Sequence, residues 1–208
     1  MNSATTEEKE KLKNAWKETK AFSKQLRLNL KQLENESEYP RHWDIFLYLI
    51  KKIQPKSILD IGCGSGSYYM LCQKEFKDIK YQGIDFSENA IKVAKNQWSE
   101  TNFFVKNLFD LTKEYVSNYD LIHVGALLDV LPNGDEALEK LLDLNAKNII
   151  IGRAELTEKE SYYEQYIAYD EISTCRFYHN KKFFIEKCQT NMYEVYQFEN
   201  NFYLKRQL

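Results

Sequence analysis

The sequence predicts an α/β protein built on a doubly wound, largely parallel sheet with helices on both faces. Three observations carry that expectation. Short apolar runs alternate with helix-period stretches from about residue 56 to residue 155. The first apolar run, "SILDIG", passes through a glycine-rich loop into a helical segment, the kind of crossing where open parallel sheets hold ligands. Finally, "MYEVYQFENNFYLKRQ" reads as two strands about Glu199-Asn200-Asn201, an antiparallel edge hairpin that brings the strands to seven.

Leu12, Trp16, Phe22, Leu26, Leu30 and Leu33 recur mostly every three or four residues, which predicts an amphipathic helix. Its polar face carries both signs of charge, so it suits packing on the sheet or on a partner better than a bilayer. "YPRHWDIFLYLIKKI" begins a second helix near Pro40. The strands that follow are "SILDIG", "KYQGID", "NFFVKN", "YDLIHVG" and "AKNIIIGR". Between them lie the helices "SYYMLCQKEF", "SENAIKVAKNQW" with Ser87 as N-cap, and "GDEALEKLLDL". Beyond residue 155, "ESYYEQYIAYDEI" reads as a helix and "NKKFFIEKC" as a short one. Residues 1–53 therefore form a helical extension or lid. Residues 54–208 form one domain, with a ligand-holding half to residue 155 and a selectivity-setting remainder from 156.

The chain of 208 residues carries 29 basic and 31 acidic side chains, net -2. That balance lacks the basic footprint of a nucleic-acid binder. No apolar run has transmembrane length, and "MNSATTEEKEKLK" has no signal-peptide core, so a cytoplasmic location is expected. Cys63, Cys72, Cys175 and Cys188 form no CxxC pair and no metal spacing with the three histidines. Reduced thiols and no metal are expected. The oligomeric state is left open.

The loop reads D-x-G-x-G-x-G: Asp60, Gly62, Gly64 and Gly66. Glycines there let backbone approach a ligand and adopt positive φ. No Gly-Lys-Ser/Thr follows, which excludes a P-loop, and a dinucleotide fingerprint would need its third glycine at Ser67. An acid before the glycines suits a ligand with an ammonium group rather than a pyrophosphate. In these residues the chain resembles the class I S-adenosylmethionine-dependent methyltransferases, over roughly residues 56 to 155. The resemblance implies S-adenosylmethionine as cofactor and S-adenosylhomocysteine as product. It implies Asp85, in "YQGIDFSENAI", on the ribose hydroxyls. Asn107, in "FVKNLFDL", stands where the family usually has Asp on the adenine amine, and Phe86 and Leu108 would flank the ring. Upstream segments often cover the cofactor in this family, so Tyr39, Arg41 and His42 are candidate contacts to its carboxylate end. The tail is similar to methyltransferases of bacterial surface-polysaccharide loci.

The acceptor is approached by exclusion. "HVGALLDVLP" follows the fourth strand where the resembled amino-methylating enzymes have Asn/Asp-Pro-Pro-aromatic. No Pro-Cys nucleophile and no Asp/Asp/Asn metal set is visible. A small-molecule or sugar acceptor remains, and O-methylation needs a proton acceptor. His123 and His179 are the candidate bases, with His42 a third. His123 sits inside a strand, where a hydrogen-bonded core role competes; His179 lies in an irregular stretch able to reach over the cleft. Arg153, ending the fifth strand, is expected to hold an anionic substrate group or to pair with Glu155. The rivals are a small-molecule N-methyltransferase and a non-catalytic methyltransferase-like binding subunit.

Overall fold

The computed structural model describes residues 6–18, 21–98 and 102–207. Helices α1 (Thr6–Glu18), α2 (Ala21–Glu34) and α3 (Arg41–Ile53) precede the sheet. Strands and helices then alternate: β1 (Ser57–Ile61), α4 (Ser67–Glu75), β2 (Lys80–Asp85), α5 (Glu88–Gln97), β3 (Phe103–Val105) and α6 (Lys113–Val116). They continue through β4 (Leu121–Val124), α7 (Gly134–Asp143) and β5 (Asn148–Ile151). The tail adds β6 (Glu155–Thr157), β7 (Tyr162–Ala168), β8 (Ile172–Asn180), α8 (Lys181–Thr190), β9 (Tyr193–Phe198) and β10 (Asn201–Arg206).

The main sheet has seven strands in the order β3-β2-β1-β4-β5-β10-β9. β1 to β5 run parallel and β10 lies antiparallel on β5, as the sequence predicts. The order reverses between β1 and β4, so a crevice opens beyond their carboxyl ends. Side chains alternate across the sheet. Ile58, Leu121 and Ile150 join the core beneath α3 and α4, while Leu59, Ile122, Ile149 and Ile151 join the core beneath α7 and α8. Ser87 caps α5 by accepting from the Ala90 amide. The cysteines are buried and free. Among the described residues, no helix is long and apolar enough to cross a membrane and no group of three or more His, Cys, Asp or Glu is placed to hold a metal.

Two expectations need correction. The first amphipathic stretch is two helices, and α1 turns onto β8, where the Trp16 indole donates to Thr174 Oγ1 at 2.8 Å. The segment read as a helix, "ESYYEQYIAYDEI", is instead β7 and the start of β8, within a second sheet of order β6-β8-β7. Cross-strand aromatic pairing explains the outcome. Tyr162 stacks on Tyr178 with centroids 4.8 Å apart, and the Arg176 guanidinium lies 5.5 Å from the Tyr166 ring centre. The connecting turn places Tyr169 and Asp170 both at positive φ, a hairpin geometry normally flagged by Asn-Gly or Asp-Gly.

Candidate active site

The loop after β1 carries three left-handed glycines, Gly62, Gly64 and Gly66, with φ of 76°, 54° and 85°. A Cβ on Gly66 would stand 2.8 Å from Trp98 Cδ1 and 3.0 Å from Phe103 Cζ, so both space and backbone demand glycine there. Gly62 and Gly64 form one wall of a cleft of about 600 Å3. The opposite wall comes from α1 and α2: Trp16, Phe22, Gln25, Leu28, Asn29 and Gln32. Ser65 Oγ donates to Gln25 Oε1 at 3.2 Å, and Asn29 donates to Ser67, so α2 lies against the loop.

Asp85 ends β2 beside the loop and lines the cleft. Its Oδ2 accepts from the Gly64 amide at 3.0 Å and its Oδ1 from the Ser87 amide at 2.9 Å. Burial raises its pKa to about 6, against the lowering effect of these backbone donors. With these backbone donors met, the carboxylate still has acceptor capacity for a ligand hydroxyl. A small side pocket adjoins, lined by Phe86, Asn107, Leu108, Phe109, Leu127 and Lys13 among others. Asn107 Oδ1 accepts from the Phe109 amide at 3.1 Å, capping a short turn. Its carbonyl is thus partly spent locally, and its amide nitrogen is the group left for a base. The cleft, with its glycine cradle, buried acid and adjoining apolar side pocket, has the elements that an adenosine-bearing cofactor needs.

The far end of the cleft gathers His42, Tyr68, Asp129, Arg153, Tyr166 and Arg176. Arg153 has φ 60°, a strained value for a residue with a Cβ, and its Nε is buried without a hydrogen-bond partner. Asp129 Oδ1 is likewise buried and unpartnered. Burial lifts the Asp129 carboxyl to about 6, although Arg153 and Arg176 pull it down. His42 is driven to about 3 by burial first, then by Arg153 and His123, so its imidazole is neutral and weakly basic.

Several residues named from the sequence lie elsewhere. Asp60 is 1% exposed; it accepts from the Tyr81 hydroxyl, and its Oδ1 is 2.7 Å from His123 Nδ1. Strand register explains the pair, because Asp60 and His123 are directly aligned on β1 and β4 and face α3. His123 is also 1% exposed, packed against Tyr68 and Phe46 at 4.0 and 4.8 Å between centroids, and does not line the cleft. His179 does not reach over the cleft. It is a β8 residue, fully buried against Phe177 and Phe184, with Nδ1 2.7 Å from Asp135 Oδ1. Of the upstream trio only His42 lines the cleft. Tyr39 stacks edgewise on Trp43 and accepts from Lys74, and Arg41 pairs with Glu199 on the outer surface.

Asp129, Arg176 and Tyr166 were missed as site residues. Asp129 stands in "HVGALLDVLP", the loop whose place after the fourth strand was its one available signal. Reading β7 as a helix hides Tyr166, and reading β8 as an irregular stretch hides Arg176.

Residues 54–200 match the family described as "Methyltransferase domain", and the chain belongs to that family. A stretch of 82 residues is 38% identical to the release factor glutamine methyltransferase of Fusobacterium nucleatum, covering 36% of this chain and 23% of that protein. The chain thus spans under a quarter of that relative. The sugar N-methyltransferase KedS8 from Streptoalloteichus superposes with a TM-score of 0.58, covering 80% of this chain and 87% of that one at 11% identity. An S-adenosylmethionine-dependent methyltransferase from Clostridium acetobutylicum gives 0.59, covering 90% and 100% at 12% identity. At such identities the likeness is one of fold, and that fold is the S-adenosylmethionine-dependent methyltransferase sheet expected from the sequence.

Proposed function

We propose that the chain methylates a hydroxyl oxygen of a sugar or similar small polar metabolite, using S-adenosylmethionine. The observation that carries this reading is one continuous cleft joining the glycine loop and Asp85 to an end lined by Tyr166, Asp129 and two arginines. Polar, aromatic walls suit hydroxyl-rich ligands, which need directional hydrogen bonds and flat faces. The tail's resemblance to methyltransferases of surface-polysaccharide loci points to the same acceptor class.

In this reading the amides and close backbone of Gly62 to Gly66 hold the amino-acid end of the cofactor, and Asp85 accepts from its ribose. Phe86, Asn107 and Leu108 receive the adenine. Bound there, the cofactor supplies an electrophilic methyl group on a sulfonium. Arg153, with its unspent Nε, holds an anionic group of the acceptor, such as the diphosphate of an activated sugar.

Isothermal titration with S-adenosylhomocysteine should show one site per chain. A labelled methyl-transfer screen across nucleotide sugars, free sugars, small amines and catechols then tests the acceptor. Turnover of the hydroxylated sugars supports the reading; turnover confined to amines or apolar phenols defeats it.

A further inference from the structure

The two histidines that the sequence offers as proton acceptors are sealed in the cores, so the acceptor end needs another base. We infer that Asp129 is the general base of the transfer, in a cleft that Arg153 and Arg176 also line. This rests on the methyltransferase function proposed above.

Asp129 follows β4, at the switch point of the sheet, and lines the cleft. Two polar atoms of opposite character are left unsatisfied there, Asp129 Oδ1 and Arg153 Nε. Among the described residues no ion pair joins Asp129 to either arginine, although all three line the same cleft. The Arg153 backbone is held at φ 60°, and its amide donates to Asn201 Oδ1 at 3.3 Å, which fixes where its side chain departs. A buried acceptor and a buried donor, each unmet and each on a residue that lines one cavity, suit a ligand that carries a hydroxyl and an anionic group.

The charged and titratable groups around Asp129 are Arg153 after β5, Glu155 on β6, Arg176 and Cys175 on β8, Tyr166 on β7 and Tyr68 on α4. The arginines favour the carboxylate, while burial and Glu155 oppose it, and the balance falls at about 6. A base with that value is ionised at neutral pH yet strong enough to take a proton as the oxygen loses it. His42, at about 3, is a far weaker acceptor in the same cleft.

A lone pair of the acceptor oxygen forms the new C–O bond to the methyl carbon. The C–S bond breaks with its pair left on sulfur, giving the neutral thioether. The hydroxyl proton passes to Asp129, which returns it to solvent through the open cleft.

The test compares wild type with Asp129→Asn, using S-adenosylhomocysteine titration and labelled transfer to the best-used sugar hydroxyl acceptor from the screen. The variant is expected to bind S-adenosylhomocysteine unchanged and to lose about 100- to 10,000-fold in kcat, with little change in KM. Wild-type kcat should rise with pH about a midpoint near 6, and the variant should lack that limb. A folded variant that keeps most of its kcat, or keeps the same limb, overturns the assignment. If Asp129→Asn no longer binds S-adenosylhomocysteine, Asp129→Glu decides instead: a retained acidic limb with reduced kcat supports the base, and no limb overturns it. A wild-type protein that fails to bind S-adenosylhomocysteine fails the methyltransferase function itself. One that binds it but turns over no hydroxyl acceptor overturns both the acceptor class and the base.

Discussion

The two ends of the cleft are made of different materials. At the glycine end, the wall made by the glycine loop is backbone. It comes from one unbroken stretch, β1, its loop and α4, closed by Asp85 from the adjacent strand. At the acceptor end it is side chain. Asp129, Arg153, Tyr166 and Arg176 come from a loop after β4, a strained residue after β5, and two strands of a separate sheet. The glycine end meets an invariant cofactor, so a rigid, locally encoded cradle suffices. The acceptor end must fit a particular molecule, and it is assembled only when distant segments fold together.

The sharpest way to break this contrast is Gly66→Val. Its left-handed φ and the contact with Trp98 and Phe103 cost about 2–5 kcal/mol together. Chemical denaturation should show that loss, and S-adenosylhomocysteine binding should vanish. A variant of wild-type stability would mean that the cradle is less constrained than its geometry implies.

His179→Ala comes next. The ring fills a core site and hydrogen-bonds Asp135, so truncation should cost about 2–3 kcal/mol. Because His179 is walled off from the cleft, turnover per folded molecule should stay at the wild-type level. A selective loss of kcat without loss of stability would return His179 to the list of bases.

These outcomes bear on how legible the molecule was in its sequence. The parallel strands, the glycine loop, the Ser87 cap and the edge hairpin each depend on neighbours a few residues away, and each was readable. The β7–β8 hairpin was not. Its turn, Tyr169-Asp170, takes left-handed geometry without glycine, and its strands are held by aromatic pairs visible only once the register is known. With that hairpin misread, Arg176 and Tyr166 had no place in a site. Asp60 was legible as a motif residue but not as the buried partner of His123 and Tyr81, which needs the strand order. The histidines drew attention by chemical type alone, whereas burial decides which titratable group meets a substrate.

Asp85 tests the glycine end more gently. Asp85→Ala removes the clamp on the Gly64 amide and, on the proposed reading, the acceptors for the ribose hydroxyls. Charge-assisted hydrogen bonds are worth about 1.5–3 kcal/mol, so the S-adenosylhomocysteine Kd should rise by about 10- to 100-fold. Wild-type affinity should also weaken as pH falls through about 6, where the Asp85 carboxylate takes up its proton. A Kd that is flat from pH 7.5 to 5 would remove the ionised carboxylate from cofactor recognition.

The smallest effect separates catalysis from stability at the acceptor end. The folded Asp129 carboxyl sits at about 6, above the usual carboxylate value of about 3.9. A raised folded pKa gives a stability contribution that is complete below about pH 4 and lost as pH climbs through 6, because the folded state resists ionising while the unfolded chain does so freely. At neutral pH the fold therefore carries the cost of a buried charge with an unmet oxygen. Asp129→Asn keeps the shape and removes that charge. It should match wild type near pH 4 and exceed it above pH 7 by about 1–2 kcal/mol, allowing for water at the cleft mouth. In a chain of this size that is a rise in Tm of about 2–8 °C. Thermal melts of both proteins at pH 4.5, 6 and 8 read the trend directly. A gain that grows with pH marks a residue kept at a cost in stability for its place in the cleft. A variant that is less stable at pH 8 would show that Arg153 and Arg176 already neutralise Asp129, leaving the acceptor end no different in kind from an ordinary ion-paired surface.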